Sequence, residues 1–183
     1  MDEHTDSWDA VLFLYHHKVG ANAPTIMEHV RAIERLSKFP VLTLNTEYGF
    51  PSRLTDMRFK TVALHYSLFG SENYKLNTLY RDFLLAQKNA HIVAFFQDEY
   101  HCCPQRFKFI NEIGVDCVYT LLEPEWHQVV YGDNTAAKKI VYTLTGYVSD
   151  ELIAKAKRMT LPLEERQIDI AYRGRELPLF MGM

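Results

Sequence analysis

The sequence is poor in cysteine and has no long apolar run. Its 183 residues include three cysteines, Cys102, Cys103 and Cys117. An odd number with two of them adjacent suits neither a disulfide framework nor the CxxC spacing of a zinc site. Residues 1–9 are acidic and polar where a signal peptide is basic and then apolar, and no run approaches the about 18 apolar residues of a membrane span. We therefore predict a cytoplasmic protein with no integral membrane segment.

A strong excess of one charge is also absent. The chain has 20 basic and 23 acidic residues, which give a formal net charge of -3. Such a chain has no net positive field with which to attract a phosphate backbone, so we expect no nucleic-acid partner. The hydrophobic content of 48% is that of a globular protein with a real core.

Several motifs that carry chemistry are missing. The first loop lacks GxGxxG, and no GxxxxGK[ST] occurs, which disfavours a nucleotide bound by this part of the chain alone. No GxSxG elbow surrounds any serine, so a serine hydrolase of that type is excluded. The eight histidines show no HExxH spacing, and we predict neither a metal site nor a cofactor.

Apolar runs alternate with helical patterns along the chain. The alternation predicts right-handed βαβ crossovers, and hence an α/β fold: a Rossmann-like three-layer domain with a mostly parallel sheet. The six predicted strands are 10–15, 41–44, 61–65, 91–96, 116–122 and 139–144, and the helices begin near Thr25, after Ser71, at Gln105 and at Ser149. A capping box is predicted at Thr25–Glu28, a helix end at Gly114, and core positions at Tyr80 and Phe83.

The last residues, 168–183, have a pattern that is typical of the start of a domain. We predict a Rossmann-like domain over 1–159 and a linker over 160–167. The pattern of residues 168–183 predicts a short apolar strand and a turn with Gly and Pro. We interpret them as the start of a truncated second domain.

Ligands of open parallel sheets bind at the carboxyl ends of the strands, because loops and helix amino termini converge there. The candidate ligand-binding loops are therefore residues 16–22, 46–53 and 97–101. The last of these, Gln97-Asp-Glu-Tyr-His101, places carboxylates, a phenol and an imidazole directly after an apolar strand. It suits hydroxyl recognition or proton abstraction. In the alternative interpretation Asp98 or Glu99 only caps the next helix while Tyr100 packs.

Two other groups have similar alternatives. His16 and His17 precede Gly20 in a loop of small residues, where one of them contacts a ligand or both are solvated or structural. Cys102 or Cys103 beside His101 is either a nucleophile or a buried, inert thiol.

Three segments carry a resemblance to a known family: Val11-Leu-Phe-Leu-Tyr-His16, Gln97-Asp-Glu-Tyr100, and Ile168-Asp-Ile-Ala-Tyr-Arg-Gly-Arg-Glu-Leu-Pro178. With them the chain resembles the amino-terminal half of a GT-B glycosyltransferase, nearest to bacterial glycosyltransferases related to spore-coat maturation proteins. In that family a segment similar to the third one opens the second Rossmann-like domain. The amino-terminal domain there mainly holds the acceptor, and the other domain binds the nucleotide-sugar donor, generally without a metal.

The resemblance implies roles for particular residues. If the reaction inverts the anomeric centre, the base that activates a carbohydrate or glycosylated acceptor is expected at Asp98, Glu99 or His101, whereas a retaining enzyme would need no such base. The acceptor cleft is expected to include His16, His17, Asn22 and Tyr100, and the donor phosphates are expected near Arg173 and Arg175.

Two rival functions stay open: a flavodoxin-like module that binds a small ligand or a protein without catalysis, and a hydrolase or redox enzyme that uses His101, Cys102 and Cys103. A lone half-enzyme also has an apolar cleft edge through which a homodimer would form.

Overall fold

The computed structural model describes residues 7–70, 74–144, 147–168 and 170. The chain forms two compact units, with the division between Tyr147 and Val148. The first unit contains one six-stranded sheet in which every neighbouring pair is parallel. This confirms the predicted three-layer, Rossmann-like α/β fold. The predicted limits of domain, linker and second domain stay predictions.

The strands alternate with helices in the predicted order. The strands are β1 (Trp8–Tyr15), β2 (Val41–Asn45), β3 (Phe59–Leu64), β4 (His91–Phe95), β5 (Cys117–Thr120) and β6 (Lys139–Tyr142). The helices of the first unit are α1 (Pro24–Leu36), α2 (Thr78–Ala86), α3 (Cys103–Ile113) and the short α4 (Pro124–His127), which continues into a π-helical turn, Gln128–Gly132. The second unit contains α5 (Asp150–Met159), whose amino terminus is capped by the Ser149 side chain.

The sheet separates two apolar cores. On one face a small core joins Phe13 and Ala63 of the sheet to Ile26 and Val30 of α1. On the other face a larger core includes side chains of α2, α3 and the π-helical turn, among them Tyr80, Phe83, Phe109, Ile110 and Tyr131. The prediction that Tyr80 and Phe83 belong to the core is confirmed. Helices on both faces bury the central strands on both sides, which explains their uninterrupted apolar runs.

The order of the strands is β2-β1-β3-β4-β5-β6. After β1 the chain passes through α1 to β2 on one side, and it then crosses back to β3 on the other side of β1. The loops that leave β1 and β3 therefore diverge, which opens a crevice at the carboxyl edge of the sheet between these two strands.

Of two predictions about helix ends, one is confirmed and the other is wrong. Gly114 ends α3 in the left-handed region at φ 75°, as predicted. The capping box predicted at Thr25–Glu28 is wrong, because α1 begins after Ala23 with Pro24 in its first turn and no side-chain cap. A proline there has its φ already set for a helix and lacks one N–H that would need a partner.

At the amino-terminal edge of the sheet, Asp116 joins three strands. Its carboxylate accepts hydrogen bonds from the Ile92 backbone N–H at 2.9 Å and from Lys138 Nζ at 2.6 Å, and His91 Nδ1 lies 3.5 Å away. Burial acts to raise the pKa of Asp116, but the bonds from Lys138 and Ile92 outweigh it and hold that pKa below its usual value.

We expect Asp116→Asn to lower the free energy of unfolding by about 1–2 kcal/mol near neutral pH. A carboxyl whose folded pKa is lowered stabilises the fold above its unfolded pKa of about 3.9, and this contribution is lost as pH falls through the folded value. The difference between parent and variant should therefore disappear in acid. Urea unfolding at several pH values measures it, with Asp9→Asn as control, because Asp9 is 83% exposed in its pair with Lys60. An equal loss in both variants would contradict the assignment.

Within the described residues, no helix combines the length and the apolar character that crossing a membrane requires.

Candidate functional site

A cavity of 430 Å³ lies at the carboxyl edge of the sheet, where the strand order predicts a crevice. Its walls come from the loop between β1 and α1, from the turn after β3 and from the residues after β4. The lining residues are Ala21, Asn22, Ala23, Thr25, Ile26, Tyr66, Ser67, Phe69, Gly70, Gln97 and Asp98. Amide, hydroxyl and carboxylate groups thus share the cavity with apolar surface.

Two of the three predicted loops contribute to this cavity, and one does not. Asn22 comes from the loop after β1, and Gln97 and Asp98 come from the segment after β4. Residues 46–53 follow β2, which is at the edge of the sheet, and none of them lines the cavity. Residues of the segment 66–70, which follows β3, line the cavity instead. The reason is that β3 lies between β1 and β4, while β2 lies on the other side of β1.

Asp98 is the predicted base that faces the cavity. It is exposed, and its backbone is in the left-handed region at φ 50°. Among the described residues, none donates a hydrogen bond or an ion pair to its carboxylate. An unpaired carboxylate beside a cavity is able to accept a proton or a hydrogen bond from a ligand.

Glu99 has a different environment, although it is adjacent in sequence. It is only 7% exposed. Its carboxylate accepts hydrogen bonds from the Thr120 and Tyr131 hydroxyls and, at 2.9 Å, from the Leu121 backbone N–H. The side chain therefore holds the end of β5 and lies away from the cavity.

Arg106 of α3 anchors the other side of the same segment. It is 3% exposed, its guanidinium lies 4.7 Å from the centre of the Phe96 ring, and its Nη2 donates to the Gln97 carbonyl at 3.1 Å. The backbone of residues 97–99 is thus held by Arg106 at one end and by Glu99 at the other. The residue between them, Asp98, is turned toward the cavity in a conformation that few side chains adopt.

His101 and Tyr100 lie outside the cavity. Both are exposed, Tyr100 to 73%. The His101 backbone N–H donates to the Asp98 carbonyl at 3.1 Å, which closes the turn. Of the predicted site residues that the structure describes, Asn22 and Asp98 are the ones that line the cavity together.

His16 and His17, which follow β1, make contacts within the fold through the His16 side chain and the His17 backbone. His16 lies with its Nδ1 3.2 Å from Thr46 Oγ1 and its Nε2 3.5 Å from Glu47. His17 uses its backbone N–H and carbonyl to bond the Asn45 side chain. Both residues join the loop after β1 to the end of β2. Arg173 and Arg175 lie outside the described residues.

A chain of polar side chains beneath the cavity was not predicted. His29 Nδ1 lies 3.0 Å from His65 Nε2, and His65 Nδ1 lies 2.8 Å from Ser67 Oγ. Ser67 lines the cavity, while His65 is fully buried at the end of β3. The sequence does place His65 at the end of a predicted strand and Ser67 two residues beyond it, and that position was the available signal.

The geometry fixes the tautomers of this chain. The Ser67 backbone N–H donates to His65 Nδ1 at 3.1 Å, so that nitrogen carries a lone pair and the ring proton is on Nε2. This proton is donated to His29 Nδ1, which leaves the His29 proton on its Nε2. Burial, with a smaller contribution from His29, lowers the pKa of His65 to about 2. Such an imidazole stays neutral and is a poor base for activating Ser67 as a nucleophile.

Cys102 and Cys103 lie beside the segment after β4 without lining the cavity, whereas Cys117 begins β5. Cys103 Sγ donates to the Glu99 carbonyl at 2.9 Å, and Cys102 occupies the left-handed region before α3. Burial raises the pKa of Cys117. In the described ranges, no group of three or more His, Cys, Asp or Glu side chains is arranged to hold a metal ion.

The arrangement is thus a polar cavity of ligand size, with one unpaired carboxylate and a hydroxyl supported by two histidines. Comparisons with protein-family models, with curated proteins and with solved structures find no match to this chain.

Proposed function

We propose that the chain is the acceptor-binding half of a nucleotide-sugar-dependent glycosyltransferase of the GT-B type. It would transfer a sugar to a hydroxyl acceptor only together with a donor-binding domain. The observation that carries the proposal is the cavity between the loops after β1, β3 and β4, lined by Asn22, Ser67, Gln97 and Asp98. Amides, hydroxyls and a carboxylate are the groups that proteins use to recognise a polyhydroxylated ligand.

Asp98 is the residue that we assign as the acceptor base. It is the one of Asp98, Glu99 and His101 that lines the cavity, and it has an open carboxylate. A general base needs to reach the hydroxyl that it activates, and Glu99 is already bonded to three donors while His101 lies outside. In this proposal Glu99 positions Asp98 and does not take a proton itself.

The donor site belongs to the second domain in this proposal. The resemblance places the diphosphate near Arg173 and Arg175, whose guanidinium groups would offset its charge. The nucleotide-sugar donor also places the protein in the cytoplasm. The three cysteines are free thiols, which is compatible with that reducing compartment.

A second function is favoured by the strand order. The order β2-β1-β3-β4-β5 is the flavodoxin-like arrangement, in which a small ligand binds at the switch point between β1 and β3. A non-catalytic ligand-binding module would use the same cavity without a donor domain. The hydrolase or redox alternative has less support, since neither Cys102 nor Cys103 lines the cavity.

The test compares the 183-residue chain with a longer form that carries a donor-binding domain after residue 183. Each is incubated with UDP- or GDP-sugars and a panel of glycoside acceptors, and release of the nucleotide is measured. We expect turnover by the longer form alone, and its loss in Asp98→Asn. Nucleotide-sugar turnover by neither form, combined with saturable binding of a small ligand by both, would favour the binding module instead.

A further inference from the structure

Ser67 is left with one free hydrogen-bonding position. Its Oγ accepts the His16 backbone N–H at 2.9 Å and lies 2.8 Å from His65 Nδ1. Because Nδ1 carries its one lone pair toward Ser67, the hydroxyl proton points to it at the shorter distance and shares that lone pair with the Ser67 backbone N–H. A hydroxyl has one proton and two lone pairs. One lone pair remains for the cavity, so Ser67 accepts a hydrogen bond from a ligand and does not donate one.

His29 fixes the direction of the hydrogen bond between the Ser67 hydroxyl and His65. It accepts the only ring proton of His65 at 3.0 Å, so His65 Nδ1 has no proton to give to Ser67. A tautomer change at His65 would set two protons against each other, one on Nδ1 and one on the Ser67 backbone N–H. The two histidines therefore act as a fixed support that determines the direction of the Ser67 hydroxyl.

The charge of the cavity wall also favours a ligand that donates hydrogen bonds. Asp98 is an open carboxylate, and no lysine or arginine of the described residues lines the cavity. The Asp98 carboxylate and the Ser67 oxygen thus face the ligand with no basic side chain of the described residues to balance them. The amino terminus of α1 also lines the cavity, at Ala23, Thr25 and Ile26, and offers about half a positive charge, which the full negative charge of Asp98 outweighs. A carboxylate or phosphate is therefore disfavoured, whereas a cationic donor would form charge-assisted hydrogen bonds.

We propose that this cavity selects a hydroxylated ligand that carries a protonated amine, with the ammonium group between one Asp98 carboxylate oxygen and the Ser67 hydroxyl oxygen, which leaves the other Asp98 oxygen for the acceptor hydroxyl. Amino sugars and aminocyclitols are the corresponding chemical class. This deepens the function proposed above and rests on it, because it takes the cavity to be the acceptor site. A neutral hydroxyl would occupy the same position with one weaker bond to Asp98.

The experiment is a titration of the 183-residue chain with four probes, followed by NMR chemical-shift changes. The probes are D-glucosamine, D-glucose, N-acetyl-D-glucosamine and D-glucose 6-phosphate, at a mildly acidic pH at which the amine is protonated. Glucosamine and glucose differ only in the group on one carbon. We expect glucosamine to bind about fivefold or more tightly than glucose, and the phosphate not to bind.

Asp98→Asn removes the charge and keeps the backbone, since asparagine tolerates the left-handed region well. We expect it to abolish the preference for glucosamine while glucose still binds. Ser67→Ala should weaken both sugars together. Asp82→Asn is the matched control, because Asp82 is exposed on α2 and does not line the cavity. Its affinities should equal those of the parent.

The outcomes separate this inference from the proposed function. Equal binding of glucose and glucosamine, or a preference that survives in Asp98→Asn, would overturn the selection for an amine and leave the acceptor site in place. Binding of the phosphate alone would overturn the inference as well, since it requires a basic wall. If no sugar produces shifts at Asn22, Ser67 or Asp98, both the inference and the sugar-acceptor proposal fail.

Discussion

Replacement of Glu99 by alanine is expected to lower the free energy of unfolding by about 3–5 kcal/mol. The carboxylate is buried and receives three hydrogen bonds, from Thr120, Leu121 and Tyr131. Burial, followed by the charge of Glu99, raises the pKa of Tyr131, so its hydroxyl remains a donor. Alanine would leave these donors without their acceptor.

Chemical denaturation of the parent, Glu99→Ala and Glu123→Gln measures the effect. Glu123 is an exposed residue before α4, and its substitution should change stability by less than about 0.5 kcal/mol. A double-mutant cycle with Tyr131→Phe adds a sharper test, since contacting partners in one network should show a coupling of about 0.5–3 kcal/mol. A loss below about 1 kcal/mol in Glu99→Ala, or additive effects in the cycle, would show that the buried carboxylate does not hold this segment.

Glu99 shows which part of the site can be predicted from the sequence and which part cannot. The position of Glu99 after an apolar strand predicts polar chemistry at the sheet edge, and the structure does place a cavity there. The difference between Asp98 and Glu99 is decided by Thr120 and Tyr131, which follow Glu99 by 21 and 32 residues. No local pattern contains that information, because it depends on which strand lies beside β4.

The fold was more predictable than the site because its signals are local. Strand β1 is a run of apolar residues that are fully buried from Leu12 to Leu14, and Gly114 provides its own left-handed helix end. The α4 segment lacked such a signal, since its Trp126 is 53% exposed and the buried residue of the following turn is Tyr131. Ser67 escaped prediction because its partner His16 is 51 residues away.

Acid is expected to destabilise the protein through His65. The folded-state pKa of His65 is lowered from 6.5 to about 2, first by burial and then by the neighbouring His29. As pH falls below 6.5 the unfolded chain binds a proton at this position, while the folded chain does not until about pH 2. Unfolding is thereby favoured. The free energy of unfolding should fall by about 1.4 kcal/mol for each pH unit in this range.

The clearest range is from about pH 6 to about pH 5, above the midpoints of ordinary carboxylates, where the expected loss is about 1 kcal/mol. Urea unfolding at several pH values measures the slope. His65→Asn keeps an acceptor for the Ser67 backbone N–H and cannot titrate, so its slope should be smaller even if its stability is lower throughout.

His101→Asn is the control for this slope, because His101 is exposed and lies outside the chain formed by His29, His65 and Ser67, so the substitution removes a histidine without disturbing that chain. His29 contributes in the same direction, since burial also lowers its pKa, and part of the slope should remain in His65→Asn for that reason. Equal slopes in the parent and His65→Asn would mean that His65 binds a proton in the folded state. Its Nδ1 would then donate toward Ser67, the Ser67 hydroxyl would be free to donate into the cavity, and the preference for an amine would lose its structural basis.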